Sequence, residues 1–338
     1  MPKRFRGGII QANLPAIDSE TNLVASGFYS TTDIAQYVGA GNWVGYLKYA
    51  QFKTPGTYSF EIPRGVTKIS ILAIGAGGAG DDGNTADGGG GGGAGGACAV
   101  ASNVAVTPGN TITVVVGAGG TSGQGKGVRA QSGGNTTVTI GTFVMNAVGG
   151  QGGAPYSTSP GATGANAVFT SIPAGVVTAG YIGGNGGAGY NGGGGGGGAA
   201  GATGNGGTGC AAKDATNTNA PANSYAGGGG GAVSAAGTGI LGGSNGGTGQ
   251  YDTTGGGGGG AYTFTSKTSF LNTAGSNGNG STSAGSKGGD GGFPGGGGGG
   301  SFDNGTGVVS SGGDGFVRIV WGSNSSGERK FPNNALDT

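Results

Sequence analysis

Short stretches in which apolar and polar residues alternate recur along the chain, each beside a turn sequence. The turn Thr54-Pro55-Gly56-Thr57 precedes residues 58–62, and a second turn, Pro63-Arg64-Gly65, separates them from residues 66–74. Alternation with β-branched residues, bounded by Pro and Gly, is typical of strands. We therefore expect residues 57–74 to form a β-hairpin.

The same pattern predicts further strands. They lie at 98–106, 111–116, 136–140, 143–148 and 316–321. In the last of these, alternation places one set of side chains on one face, namely Val317, Ile319 and Trp321, and the other set on the opposite face, namely Phe316, Arg318 and Val320. The sequence therefore predicts a mainly β fold with a small antiparallel, β-sandwich-like sheet.

Glycine clusters interrupt the predicted strands. Five apolar residues run directly into such a cluster, and they are Ile74, Val116, Val148, Ile182 and Leu241. Uninterrupted glycine runs occupy residues 88–93, 192–198, 227–231, 255–260 and 295–300. The chain thus repeats an apolar anchor followed by a glycine segment, although the period is irregular.

Three structures could explain these runs. Flexible linkers are the usual interpretation of glycine-rich sequence, and collagen would need glycine at every third position and much more than 11 Pro. The third structure is a packed bundle of polyglycine II helices, in which the N–H and C=O groups of neighbouring helices satisfy one another. We predict such a bundle, with Gly195, Gly229, Gly257 and Gly297 among its buried positions.

Composition favours backbone pairing over an ordinary core. The chain has 95 Gly in 338 residues, about 28%, whereas about 7% is usual. With 33% hydrophobic residues, side-chain burial is too small to hold a chain of this length throughout. By glycine content we predict an N-terminal segment at 1–50, helical at 30–38 or extended, a body at 51–322 and a polar tail at 323–338.

Charge and apolar runs argue against several partners. The net charge of +1 gives no reason to expect nucleic-acid binding. The chain contains no run of 18 apolar residues, so we expect no insertion into a membrane. The basic cluster at residues 3–6 is not followed by the apolar stretch of a signal peptide.

Catalytic chemistry is poorly supported. The chain has no histidine, which excludes a histidine base or metal ligand. Asp81, Asp82 and Asp87 could hold Ca²⁺, but a solvated acidic turn is the simpler interpretation. Cys98 and Cys210 are two buried thiols or one disulfide. We therefore expect no enzyme, no cofactor and no metal.

Aromatic and amide residues lie between the glycine runs. This composition is typical of adaptable recognition loops, because Tyr offers a large amphipathic surface at low entropic cost. The candidates are Tyr156, Asn219, Asn223, Tyr225, Tyr251, Tyr262 and Phe270. The alternative is that these side chains only seal the ends of the bundle.

Three stretches resemble the glycine-rich domain of tail-fibre and receptor-binding (adhesin) proteins of tailed bacteriophages. They are TPGTYSFEIPRGVTKISILAIGAGGAG at 54–80, TPGNTITVVVGAGG at 107–120 and GGDGFVRIVWG at 312–322. The resemblance implies a virion protein that is assembled in the bacterial cytoplasm and binds a surface protein or polysaccharide of the host. A head-decoration or tail protein without receptor is the alternative, and a polysaccharide-degrading enzyme is a third hypothesis.

A shorter stretch, SGFYSTTDIAQYVGAGNW at 26–43, is similar to a motif of phage structural proteins. The resemblance implies that residues 1–50 attach the protein to other virion tail proteins, with Phe28, Tyr29 and Trp43 in that contact. Fibre symmetry suggests a homotrimer.

Overall fold

The computed structural model describes only part of the chain. The described residues are 49–82, 89–121, 128–155, 161–189, 193–202, 204–209, 211, 232–233, 239–241, 288–300, 310–324, 327–328 and 331. They contain strands and no helix. The helix predicted at 30–38 lies outside them.

Nine strands in the first part of the chain and one near its end build the main body. They are β1 (Tyr49–Phe52), β2 (Gly56–Glu61), β3 (Lys68–Ile74), β4 (Cys98–Ala105), β5 (Thr111–Val116), β6 (Thr136–Ile140), β7 (Phe143–Ala147), β8 (Ala167–Thr170), β9 (Val177–Tyr181) and β12 (Phe316–Trp321). Short pairs are β10 (Ala232–Val233) with β11 (Gly239–Leu241), and β13 (Ser323–Asn324) with β14 (Gly327–Glu328).

Two five-stranded antiparallel sheets pack against each other. The first sheet has the order β1-β12-β3-β4-β9, and the second has the order β2-β5-β6-β7-β8. Apolar side chains from both sheets fill the space between them, including Ile71 and Ile319 from the first sheet and Val114 and Met145 from the second. The prediction of a mainly β, antiparallel fold is confirmed.

The two sheets differ in how many faces they bury. The second sheet alternates, so that β7 is buried at every other residue and the remaining side chains are partly exposed. In the first sheet β12 is buried at all six positions. The predicted separation of its faces is correct, since Val317, Ile319 and Trp321 face the second sheet while Phe316 and Val320 belong to a further apolar cluster with Ala199 and Ala200.

Arg318 lies on the same outer face of the first sheet and is buried. Its guanidinium carbon lies 4.5 Å from the centre of the Tyr49 ring, at the distance of a cation–π contact. Because β1 pairs with β12, Tyr49 is held beside this strand.

The predicted hairpin at 57–74 is wrong. β2 pairs with β5 in the second sheet, whereas β3 pairs with β12 and β4 in the first. The intervening turn, in which Val66 N donates to Pro63 O at 3.1 Å and Gly65 has a φ of 79°, carries the chain from one sheet to the other. Alternation identified both strands but could not identify their partners.

The same corner occurs a second time and was missed in the sequence. Between β8 and β9, Val176 N donates to Pro173 O at 3.3 Å and Gly175 has a φ of 80°. The sequences Ile62-Pro63-Arg64-Gly65-Val66 and Ile172-Pro173-Ala174-Gly175-Val176 therefore form a repeat. Proline favours the first half of such a turn and glycine allows its positive φ, so each repeat moves the chain from the second sheet to the first.

Glycine segments extend from the ends of the strands and hydrogen-bond to one another. In the segment 75–82, every third N–H group donates to the segment 89–97, and these bonds join Gly75 to Ala97, Gly78 to Ala94 and Asp81 to Gly91, each at 2.9 Å. The N–H groups of Ala76 and Ala79 bond instead to the segment 128–135, and that of Gly77 bonds to Gly313. Successive residues therefore turn towards three different neighbours.

The segment 89–97 is surrounded by other segments. Its N–H groups go in rotation to three of them, which are 148–155, 182–189 and 295–300. Its carbonyl groups accept bonds from two more, which are 75–82 and 193–202. Backbone pairing in five directions thus holds a stretch that has few side chains.

Close backbone contact explains why these positions are glycine. A Cβ atom on Gly78, Gly95 or Gly297 would lie under 3.0 Å from a backbone oxygen of the neighbouring segment. Among the glycines of the described segments only Gly295 has a left-handed φ, of 74°, so most of them are required by space and not by conformation. Gly195 is also buried, and Gly229 and Gly257 lie outside the described residues.

Candidate functional site

Eight glycine segments continue a strand of the sandwich or lead back into one, whereas 193–202, 204–209, 288–292 and 295–300 adjoin no strand of the sandwich. The chain leaves the sandwich after β3, β5, β7 and β9, and it returns before β4, β6, β8 and β12. The hydrogen bonds fix the relative directions of the segments, since bonds from Gly75 to Ala97 and from Gly78 to Ala94 make the outgoing 75–82 antiparallel to the returning 89–97.

Outgoing segments are parallel to one another. Gly150 and Gly153 of the segment 148–155 donate to Ala76 and Ala79 at 2.8 Å, so this segment runs in the same direction as 75–82. The returning segment 193–202 runs in the same direction as 89–97, because Gly194 bonds to Gly90 and Gly197 to Gly93. All the outgoing segments therefore end on the same side, away from the sandwich.

We call this side the distal end of the glycine segments. Outgoing segments reach it at residues 82, 121, 155, 189, 209 and 300, and returning segments start from it at residues 89, 128, 161, 193, 288 and 310. Six connections of the chain thus begin and end at the distal end. Two of them, between 155 and 161 and between 209 and 288, include the seven predicted recognition residues.

The predicted recognition residues themselves are not described. Tyr156, Asn219, Asn223, Tyr225, Tyr251, Tyr262 and Phe270 all lie outside the described residues, as do Phe28, Tyr29 and Trp43 of the predicted attachment segment. What the described part gives is the location of the chain on either side of the predicted loops.

Arg129 is a charged residue near the distal end that the sequence reading overlooked. It precedes Ala130 at the start of a returning segment, and its guanidinium donates to the carbonyl oxygen of Gly152 at 2.7 Å. A guanidinium group only donates hydrogen bonds, so a carbonyl oxygen is a suitable partner for it. Arg129 thus links two neighbouring segments close to the distal end.

Polar side chains accept hydrogen bonds from backbone N–H groups at several positions of the glycine segments. Each of these side-chain oxygens accepts a hydrogen bond from a backbone N–H group, and the pairs are Asn135 with Gly149 (3.1 Å), Asn185 with Gly164 (2.7 Å), Asn205 with Ile182 (2.8 Å), Gln151 with Thr163 (3.1 Å), Ser132 with Gly152 (3.2 Å), Asp314 with Gly119 (2.8 Å) and Asp290 with Ser311 (2.8 Å). The sequence signal was a polar residue inside a glycine cluster, as in Gly183-Gly184-Asn185-Gly186-Gly187.

The chemistry expected of the acidic and cysteine residues is only partly visible. Within the described ranges no three acidic or cysteine side chains come close enough to hold a metal ion, and Asp87 lies outside those ranges. Cys98 is a buried free thiol, and burial raises its pKa above the ordinary value. Cys210 is not described. No helix in the described part has the length and apolar character to cross a bilayer.

Comparison with known proteins gives a family. A family model for a glycine-rich domain matches residues 53–278, which is about two thirds of the 338 residues. The match covers β2 to β11 and the glycine segments between them. No curated protein matches the chain.

Proposed function

We propose that this chain, which belongs to the glycine-rich domain family, is a structural virion protein of a tailed phage and that its glycine segments are polyglycine II helices. In this proposal it is a tail fibre or fibre-tip adhesin that binds a host cell-surface receptor. The connections at the distal end are the receptor-binding loops, and the sandwich is the base from which the helices extend.

The period of the hydrogen bonds supports the helices. A polyglycine II helix has three residues per turn and no internal hydrogen bonds, so its N–H groups point to three neighbours in rotation. The segment 89–97 behaves in this way, with Gly91, Ala94 and Ala97 donating to 148–155 and Gly92 and Gly95 donating to 182–189. At about 3.1 Å per residue, its nine residues would span about 28 Å.

The shared distal end is the observation that carries the adhesin proposal. Recognition residues occur preferentially on loops that a rigid scaffold holds in position. Six connections begin and end on one side of the laterally bonded segments, and two of them contain the seven residues predicted for recognition. A protein surface or polysaccharide of the host is a suitable ligand for such loops, since Tyr and Asn offer stacking and hydrogen bonds.

The remaining parts of the proposal follow from the resemblance to phage fibre proteins. Residues 1–50 would attach the protein to other tail proteins, and the functional particle would be a homotrimer in a virion. The alternative is a head-decoration or tail protein that has the same glycine scaffold but no receptor.

A binding assay distinguishes the adhesin from a structural protein that has no receptor. Labelled protein is incubated with a panel of bacterial strains, and phages that adsorb to a retaining strain are tested for competition by a saturating amount of the unlabelled protein. We expect retention by particular strains and reduced adsorption of phages that use the same receptor. If no strain retains the protein, the adhesin proposal fails.

Variants identify the surface that binds. Tyr225→Ala, Tyr251→Ala and Phe270→Ala together should abolish retention. The matched control changes three exposed residues of the second sheet, Ser59→Ala, Thr111→Ala and Thr113→Ala, which belong to the sandwich and should bind like the parent. Equal binding by both triple variants would exclude these loops as the receptor site.

A further inference from the structure

One lateral side of the sandwich is formed by two edge strands. β8 is the last strand of the second sheet and β9 is the last strand of the first, and no described strand pairs with their outer sides. The two strands lie close together, since a Cβ on Gly180 would be 2.9 Å from Cβ of Ala167. We call β8, β9, their connection and Ile182 the β8–β9 edge.

This edge exposes large apolar side chains. In the described part of the chain five large apolar residues are strongly exposed, and four of them are at the β8–β9 edge: Val168 (48%), Ile172 (48%), Val177 (63%) and Ile182 (43%). Single exposed apolar residues are common, but four of them along two neighbouring edge strands and their connection favour association with another protein surface.

The edge also lacks charge. Between Arg129 and Lys213 the chain contains no Asp, Glu, Lys or Arg, so β8, β9 and the segments beside them are electrically neutral. The other lateral side, formed by β1 and β2, carries Lys53 and Glu61. Charged residues on edge strands oppose edge-to-edge pairing, and only one of the two sides has them.

We propose that the β8–β9 edge is a self-association surface, on which a second copy of this chain presents the same edge. This two-fold contact is separate from the three-fold contacts of the homotrimer proposed above. The proposal concerns contacts between copies and does not depend on receptor binding, because the edge belongs to the sandwich and the proposed receptor loops lie at the distal end.

The lack of charge at the β8–β9 edge favours a second copy of this chain over a charged partner protein. A partner with charged residues at the contact would lose their hydration without gaining an opposite charge, which is costly. The same edge on a second copy brings only apolar and neutral polar groups, and its unpaired strand can supply the missing backbone hydrogen bonds. A surface that is complementary to itself needs one patch on both copies.

Sedimentation velocity across a concentration series tests the proposal, with the full chain and two variants. Val168→Lys with Val177→Lys adds charge to the edge on both copies, so we expect the dissociation constant to rise roughly tenfold or more. Val128→Lys is the matched control, because Val128 is 50% exposed, has the same side chain and lies outside the edge. It should associate like the parent.

The outcomes divide clearly. Concentration-dependent association of the parent and the control, lost in the edge variant, supports the proposal. A parent that stays monomeric at all concentrations overturns it, and so does a variant that melts earlier with no change in mass, which would indicate that another part of the same chain covers the edge.

Hydrogen exchange of the parent protein provides a readout that needs no variant. Peptides covering residues 167–182 should exchange more slowly at high protein concentration than at low concentration, whereas peptides of β2 should not change. Exchange at 167–182 that is independent of concentration would contradict the proposal. Receptor binding can fail in the assay above without altering either measurement.

Discussion

Replacement of Gly95 by alanine is expected to destabilise the protein, although alanine is ordinarily the more favourable residue. Where space and conformation allow, Gly→Ala stabilises a protein by about 0.4–1 kcal/mol, because it restricts the unfolded chain. Gly95 does not have a left-handed φ, so its conformation is open to alanine. Its Cβ, however, would lie under 3.0 Å from the carbonyl oxygen of Gly198.

The size of the effect follows from the groups that must move. The nearest atoms are backbone atoms of Gly198 and Ala199, which cannot rotate away as a side chain can. Separating the two segments would weaken the bonds from Gly197 to Gly93 (2.8 Å) and from Ala200 to Gly96 (3.0 Å). Overpacking costs about 1–3 kcal/mol and each lost hydrogen bond about 1 kcal/mol, so the net loss should be roughly 2–4 kcal/mol.

Gly91→Ala is the matched control in the same segment. Its Cβ would lie 3.1 Å from Ala154 O and 3.5 Å from Gly187 O, so a shift of a few tenths of an ångström accommodates it. The gain from the unfolded state then roughly offsets the strain, and we expect a change within about 1 kcal/mol of zero.

Guanidinium chloride unfolding, followed by tryptophan fluorescence and circular dichroism, measures both variants. Trp321 is a suitable probe because it is buried in the sandwich core. The midpoint for Gly95→Ala should fall well below those of the parent and Gly91→Ala, at an unchanged denaturant dependence. If Gly95→Ala is as stable as Gly91→Ala, the close approach of segments 89–97 and 193–202 is refuted.

Two further predictions concern single side chains. Burial raises the pKa of the Cys98 thiol, so the thiol stays protonated in the folded protein at pH values where it ionises in the unfolded chain, above about 8.5. The free energy of unfolding should therefore be independent of this group below that pH and should fall above it, by up to about 1.4 kcal/mol per pH unit. Cys98→Ala should remove that part of the pH dependence of the free energy of unfolding, as measured by urea unfolding at several pH values. An unchanged pH dependence would contradict the raised pKa of Cys98. Asp314→Ala should cost about 1–3 kcal/mol, since Gly119 N–H loses its acceptor at 2.8 Å, while Asp314→Asn keeps an oxygen there. Faster exchange of the Gly119 amide in Asp314→Ala only is the expected result, and equal exchange in both variants would argue against the bond.

Strand positions were predictable because alternation is a local property of the chain. The predicted bounds at 111–116, 136–140 and 316–321 agree with β5, β6 and β12. Partners were not predictable in the same way, and residues 57–74 show why. The Pro-Arg-Gly turn looks like the end of a hairpin, yet it leads into a different sheet, and only the repeat at residues 172–176 gives any sequence sign of this.

The shared distal end was also beyond the sequence reading. Anchors such as Ile74 and Val148 correctly marked where glycine segments begin, but the direction of each segment depends on hydrogen bonds between residues far apart in the chain, such as that of Gly150 to Ala76. The strands give information on the direction of the segments that the glycine runs alone do not contain. Four outgoing segments follow strands and four returning segments precede them, so the sandwich sets the direction of these eight segments and the side on which their connections lie.

Period three also explains the residues that interrupt the glycine. Because the hydrogen-bond partners of a segment repeat every third residue, the segment presents three faces, and the environment of each face selects the residue. Gly78 lies where a neighbouring backbone leaves no room for a Cβ, whereas Ala76 and Ala79 lie three apart on a face that buries a methyl group.

Where no neighbouring backbone accepts an N–H group, a polar side chain replaces it. Asn185 accepts from Gly164 and Asn135 accepts from Gly149, both at exposed or partly buried positions. A buried or half-buried N–H without an acceptor costs free energy, so the rim of the packed segments needs such oxygens as much as its interior needs glycine. Between Arg129 and Lys213 these acceptors are neutral amides and hydroxyls. The backbone N–H groups of the rim are therefore hydrogen-bonded there without charged acceptors. That side of the molecule is free of the charge repulsion that would oppose contact between two copies.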